Sequence, residues 1–176
     1  GSEGTLLFIT GIKLNLVDLP PKEKGLLVVH HGSVAEALKA NLIALEYNPV
    51  AIELFDNYIL ECTKSSIEHR RNRFFLKGDP GALLCVEFAS HSRKEIDKVA
   101  AQLTAALKKA GYGYEYPVLY GTDISRVWAL RKAGLGLLSN IPGDAKPQPV
   151  IEDTAVHPNF CRSILMNSIK YWNVRN

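Results

Sequence analysis

The chain has 176 residues, 47% of them hydrophobic and 22% charged, with 21 Lys and Arg against 18 Asp and Glu for a formal net charge of +3. That length and apolar share are enough for one compact domain with its own core, and they exclude a disordered chain. The near balance of charge gives no reason to invoke nucleic acid or an anionic membrane as a partner, and no apolar run reaches the length of a transmembrane segment.

Residues 10–17 alternate: Ile12, Leu14 and Leu16 share one face and Lys13 and Asn15 the other, the pattern of a half-buried strand that Pro20-Pro21 ends. A unit then appears twice. Residues 26–30 form an apolar run, Ser33-Val34-Ala35-Glu36 has the form of a capping box, and Val34, Leu38, Leu42 and Leu45 follow at helical spacing until Asn48-Pro49. Residues 50–55 read as the next strand. In the second copy, residues 82–88 are a strand and Ser92-Arg93-Lys94-Glu95 a capping box. Ile96, Val99, Leu103, Leu107 and Ala110 make the stripe, Gly111 sits at the C-cap, and residues 114–120 close the unit as a strand.

Two strand–helix–strand units in one small domain predict an α+β fold. Its core is a ferredoxin-like split βαβ sheet with strands of mixed direction and helices packed on one face, plus an extra helix and strand near the C-terminus. Between the units, residues 56–80 hold Glu68-His69-Arg70-Arg71-Asn72-Arg73-Phe74-Phe75, a basic run beside two aromatics. A nucleic-acid reader can be built this way, but the modest net charge favours a solvated connector anchored by its aromatics. Residues 123–139 read as a helix, 141–149 as a proline-rich loop, 150–156 as a last strand, and 157–176 as a helical tail.

No dinucleotide-binding or P-loop fingerprint is complete. The five histidines do not have metal spacing, and His30 and His31, adjacent on a strand, point to opposite faces. Cys62, Cys85 and Cys161 are odd in number and far apart, which fits neither a disulfide framework nor a zinc site. Cys85, within an apolar run, is expected to be a buried inert thiol. The opening residues carry no basic start of a signal peptide, so a reducing cytoplasm is the expected setting.

Arg131 is the most informative single residue. Ile124, Val127, Gly134 and Leu138 stand at helical spacing from it, so it interrupts an otherwise apolar stripe. There it needs a carboxylate, a phosphate or a path to water. An internal salt bridge, a snorkelling stem and an anionic ligand all answer that need. Lys146 is presented by a loop stiffened by Pro142 and Pro147, and either Glu152 or Asp153 is placed to face Arg131 or Lys146.

Several of these segments resemble one family. The opening Gly1-Ser2-Glu3-Gly4-Thr5-Leu6 with Ile9-Thr10 resembles the junction between the two domains of FAD-linked oxidases of the vanillyl-alcohol oxidase superfamily. Val127-Trp128-Ala129-Leu130-Arg131-Lys132-Ala133 is similar to a helix of their D-lactate, glycolate and D-2-hydroxyglutarate dehydrogenase branch. Pro142-Gly143-Asp144-Ala145-Lys146-Pro147 and Glu152-Asp153-Thr154-Ala155-Val156 resemble the loop and strand that follow. Lys77-Gly78-Asp79-Pro80-Gly81-Ala82 resembles members fused to an iron–sulfur module.

The resemblance implies a ferredoxin-like substrate domain of an FAD-dependent 2-hydroxy-acid dehydrogenase, acting on D-lactate or a similar acid with hydride passed to the flavin. Residues 1–9 would end an FAD-binding domain outside this chain. Residues 10–176 would be the C-terminal substrate domain, truncated at its own C-terminal end and inactive alone. Arg131 would hold the substrate carboxylate and Lys146 would be a second basic group near it. Gly1, Ser2, Glu3, Gly4 and Thr5 would border the FAD through backbone groups. A divalent metal, iron–sulfur clusters in a fused domain, and peripheral attachment to the inner face of the membrane are variants that the resemblance allows outside these residues. The reading from another class is a stand-alone ferredoxin-like module that binds a small acidic metabolite.

Overall fold

A computed structural model of the chain describes residues 4–6, 8–139, 143–144 and 155–175, with the backbone alone for 65, 135, 137–139 and 168–175. Four strands form one sheet: β1 (Glu23–His31), β2 (Ala51–Asp56), β3 (Ala82–Ser90) and β4 (Val118–Tyr120), in the order β2-β3-β1-β4. Each unit's two strands are joined by a helix, α1 (Val34–Leu45) or α4 (Arg93–Lys109), yet they are not neighbours. A strand of the other unit lies between, which is the split arrangement expected. The strand directions are a correction. Every hydrogen-bonded pair is antiparallel, with Glu23 opposite Ser90, Ala51 opposite Glu87 and Gly25 opposite Tyr120.

The serine half of each capping box forms: Ser33 accepts from the Glu36 amide and Ser92 from the Glu95 amide, while Glu36 accepts from the Gly32 amide and Glu95 from Ser90 Oγ. On α1 the buried stripe is Ala37, Ala40 and Ala44, while the expected Leu42 and Leu45 are exposed. Alanines let the helix backbone come close to the sheet, and that close seat turns the leucines outward. On α4, Ile96, Ala100, Leu103 and Leu107 are buried, and Gly111 follows in the left-handed region at φ +75°.

As predicted, α1 and α4 share one face of the sheet, over Leu27, Val29, Leu84 and Val86. The other face is covered as well, by α2 (Asn57–Ser65), Phe75 and α5 (Thr122–Ser139) over Leu26, Val28, Leu83 and Cys85. This explains why β1 and β3 are continuous apolar runs, since a strand buried on both sides has no polar alternate. Burial also pushes the Cys85 thiol pKa up, so the sulfur is inert as expected.

The connector is a second correction. Residues 56–80 hold α2, α3 (Ile67–Arg70) and a 3₁₀ turn at Arg71–Arg73, with Leu60, Thr63, Asn72 and Phe75 buried. Phe75 does anchor the segment. The basic run is used internally. Arg73 donates to the Leu60 carbonyl and to Thr63 Oγ1 within α2, and Arg70 Nε donates to the Lys64 carbonyl, one of the last-turn carbonyls that α2 leaves open. The ring of Phe74 carries the Arg126 guanidinium 3.9 Å from its centre.

Residues 10–17 are in no strand, and Ile12, Leu14 and Leu16 are exposed. An alternating stretch becomes a strand only beside another strand, and no described strand pairs with it. The last strand of the second unit is shorter than expected. Glu115 and Pro117 still bond β1 through their carbonyls, but Pro117 has no amide to return. The tail forms α6 (Pro158–Arg175), packed against α1. The expected loop at 141–149 and strand at 150–156 lie almost wholly outside the described residues.

Candidate functional site

The site is built on α5. Gly121, at φ +55°, makes the left-handed turn from β4 into this helix, a conformation that costs a side-chain-bearing residue energy. Ile124, Val127 and Leu130 are buried against the sheet, and Gly134 rests on Ile59 of α2.

Arg131 itself is not buried. Its side chain is 55% exposed at the flank of the helix, and its Nε stands 3.4 Å from Glu53 Oε2 on β2. Helix spacing keeps Arg131 beside Val127 as expected, but its partner Glu53 is on edge strand β2, where the long stem carries the guanidinium to water. Of the three answers open to a cation there, the structure shows two together: a salt bridge and a path to water. The partner is Glu53. Glu152 and Asp153, the carboxylates singled out from the sequence, lie outside the described residues, as do Lys146, Gly1, Ser2 and Glu3.

One turn earlier on α5, the Trp128 indole N–H donates to Glu87 Oε2 at 2.9 Å. The other oxygen of Glu87 takes Lys24 Nζ at 2.8 Å. Glu87 is only 6% exposed. Its register on β3 puts it on the α5 side with Leu83 and Cys85, and Glu53 is on the same side of β2, opposite Cys85. The sequence reading passed over both acids. The signal for Glu87 was present: it is the one charged residue in the run from Ala82 to Ala89.

Glu87 and Trp128 form one wall of an open cavity of about 660 Å³, whose other sides include Lys22, Arg93, Tyr120 and Ser125. Burial and a hydrogen bond to Asp97 push the Tyr120 phenol up to about 12, so it stays protonated at neutral pH and is no general base there. His30 and His31 have no exposed surface. No described group of three or more His, Cys, Asp or Glu is placed to hold a metal, and no described helix is long and apolar enough to cross a membrane.

Residues 20–169 match the family described as FAD linked oxidases, C-terminal domain. The chain belongs to this family. Its similar relatives are "D-2-hydroxyglutarate dehydrogenase" proteins: 33% identity over 168 residues in Haemophilus influenzae, 32% over 168 in Pantoea ananatis and 32% over 168 in Escherichia coli. Each alignment covers 90% of this chain and 16% of the relative, so the chain spans about a sixth of the length of the curated relatives it matches.

FAD is the cofactor of the family. Of the five residues expected to border it, Gly4 and Thr5 are described; both are exposed, Gly4 turns at φ +76°, and nothing stands within 4 Å of its α-carbon substituent position. An open glycine turn fits an edge contact made by backbone to a flat ring. It is not a pocket that encloses one.

Proposed function

We propose that this chain is the substrate-side domain of an FAD-dependent dehydrogenase of D-2-hydroxy acids of the lactate or 2-hydroxyglutarate type. Arg131 holds the substrate carboxylate, Lys146 is a second basic group beside it, and the backbone of Gly1, Ser2, Glu3, Gly4 and Thr5 borders the flavin. The observation that carries this reading is the setting of Arg131. It stands half-exposed on a helix whose buried residues Ile124, Val127 and Leu130 fix it on the sheet, and its ion pair to Glu53 runs through Nε. A guanidinium held at Nε still presents the two η nitrogens as a fork, the geometry that grips a carboxylate with two parallel hydrogen bonds.

FAD, when bound, accepts the hydride from the hydroxyl-bearing carbon. This domain's part is to fix the carboxylate and so aim that carbon. The names of the relatives support a dicarboxylate such as 2-hydroxyglutarate, for which a second basic group is useful. The odd number and wide spacing of Cys62, Cys85 and Cys161 support a cytoplasmic setting.

The test uses the enzyme that contains this chain together with its FAD-binding domain, assayed with D-2-hydroxyglutarate and D-lactate and an artificial electron acceptor. Arg131→Ala should lower kcat/KM by about 2–3 kcal/mol, roughly 30- to 150-fold, the scale of hydrogen bonds to charged groups. Arg131→Lys keeps the charge, loses the fork and should stay impaired. Bound FAD should not change. Wild-type kinetics in both variants would remove the substrate-site assignment. The chain alone should be colourless and inactive. A yellow, active preparation would overturn that expectation, and tight binding of an acidic metabolite without flavin would favour the stand-alone module.

A further inference from the structure

We propose that Glu87 and Glu53 form a two-point clamp that sets the rotation of α5 on the sheet, and with it the direction in which Arg131 leaves the helix. Glu87 acts as a positioning residue through Trp128, and Glu53 through Arg131 itself. The inference rests on the reading of Arg131 as the group that holds the substrate carboxylate.

Glu87 occupies an expensive place. It lies in a central strand covered on both faces and is 6% exposed. A buried carboxylate is tolerated only when paired and hydrogen-bonded, and an apolar residue of similar volume is often as stable or more so at such a position. Stability alone therefore does not account for an acid here. What a carboxylate adds is direction. The Trp128 indole has a single N–H donor, and its 2.9 Å bond to Glu87 Oε2 fixes the ring plane relative to β3. Because the ring belongs to α5, the same bond resists rotation of the helix about its axis.

The second point is one turn further on. Trp128 and Arg131 are three residues apart and so lie on neighbouring positions of one helix side. Their partners are also neighbours: Ala51 is opposite Glu87 and Glu53 opposite Cys85, so the two acids are diagonal on the α5-facing side of β2 and β3. Apolar packing through Ile124, Val127 and Leu130 is non-directional and by itself tolerates small rotations. The part-buried Trp128–Glu87 bond adds the directional restraint on the helix, and the exposed Arg131–Glu53 pair aims the guanidinium that the helix carries. Small misplacements of a substrate-holding group are costly for rate, which gives this precision a use. Lys24 completes the device. By pairing Glu87 Oε1 at 2.8 Å it cancels a negative charge that would otherwise face an anionic substrate.

The experiment compares Glu87→Leu, Glu87→Gln and Arg131→Ala in the flavin-loaded enzyme that contains this chain, with D-2-hydroxyglutarate and D-lactate as substrates. Lys24 is half-exposed, so leaving it unpaired in Glu87→Leu carries little penalty. The leucine variant should keep its melting temperature within a few degrees while KM rises about tenfold or more. Glu87→Gln retains a carbonyl acceptor for the indole and should bring KM back to within about threefold of wild type. Should the leucine variant not fold, Trp128→Phe, which deletes the donor and keeps a ring, carries the same expectation. A readout independent of activity is the Trp128 indole ¹⁵N–¹H signal of this chain, assigned by its loss in Trp128→Phe, which should move in Glu87→Leu. An unmoved signal, or wild-type KM in Glu87→Leu or its Trp128→Phe stand-in while Arg131→Ala is impaired, overturns the clamp. Wild-type kinetics in Arg131→Ala overturn instead the carboxylate-holding reading beneath it.

Discussion

Arg131 Nε and Glu53 Oε2 stand 3.4 Å apart on two elements that the chain separates widely, and both side chains are more than a third exposed. Water screens such a pair, so its worth to the fold is small, about 0–1 kcal/mol. A double-mutant cycle of Arg131→Ala and Glu53→Ala, followed by urea denaturation of this chain, should give a coupling energy below about 1 kcal/mol. A larger coupling would make Arg131 chiefly a structural residue and weaken its assignment to the substrate.

Stability should depend on pH through His30 and His31. Burial pushes both below their ordinary value of 6.5, more than their hydrogen-bond partners, backbone for His30 and Glu36 for His31, raise them. His31 Nε2 is buried without a partner, as a neutral ring allows, and His30 Nε2 accepts from the Lys77 amide at 3.3 Å, which a protonated ring could not do. The unfolded chain therefore binds protons that the folded chain refuses. Stability is full above about pH 6.5 and falls as pH drops from there toward each lowered pKa, by at most about 1.4 kcal/mol per pH unit for each ring.

Glu36 is shifted in the same direction, downward, but has a lower window. Burial pushes its carboxyl up, but amide bonds from Gly113 and Gly32 and contact with His31 hold it below 4.5, so its contribution is lost only as pH falls below that value. Urea titrations at pH 5, 6, 7 and 8 separate the two effects. A flat profile between pH 5 and 7 would refute the histidine account.

Gly81 is irreplaceable for a reason of contact. A Cβ there would lie 2.2 Å from the Gly32 carbonyl oxygen and 2.7 Å from its carbon, and backbone at the end of a strand cannot step aside cheaply. Gly81→Ala should destabilise by about 1–3 kcal/mol, as overpacking does. Gly11→Ala, where nothing stands within 4 Å, should change stability by less than about 0.5 kcal/mol. Equal effects at the two positions would contradict the close approach.

Arg73 ties α2 to the turn that follows it through the Leu60 carbonyl and Thr63 Oγ1, and Thr63 is fully buried. Arg73→Met keeps the stem and removes these bonds, at a cost of about 1–3 kcal/mol. Thermal unfolding of this variant against wild type checks the value. An unchanged midpoint would return the basic run to the surface role that its composition suggests.

What was legible in the sequence was local. Ser33 with Glu36 and Ser92 with Glu95 announce helix starts within four residues, and the helix predicted over 34–45 is α1 as found. The repeat of strand, helix and strand was enough for the fold class. What was missed depends on distant partners. Nothing near Glu87 in sequence signals Trp128, and nothing near Arg131 signals Glu53. Residues 56–80 concealed their helices because Leu60 and Phe75 are single apolar anchors, without the repeated spacing that reveals a stripe. Residues 10–17 show the reverse case. Their alternation is clear, but a strand also needs a neighbour.

The interleaving of β1, β3 and β2 has a consequence for how the chain is made. As the polypeptide leaves the ribosome, β1, α1 and β2 emerge first, yet neither strand can bond the other, because β3 belongs between them. The whole first unit waits, apolar runs uncovered, until Ala82–Ser90 has been synthesised and can insert. From that moment β3 satisfies both strands together, Glu23 to His31 on one side and Ala51 to Asp56 on the other. A nascent chain halted before residue 82 leaves both strands unpaired, and one released after residue 90 already has the middle of its sheet.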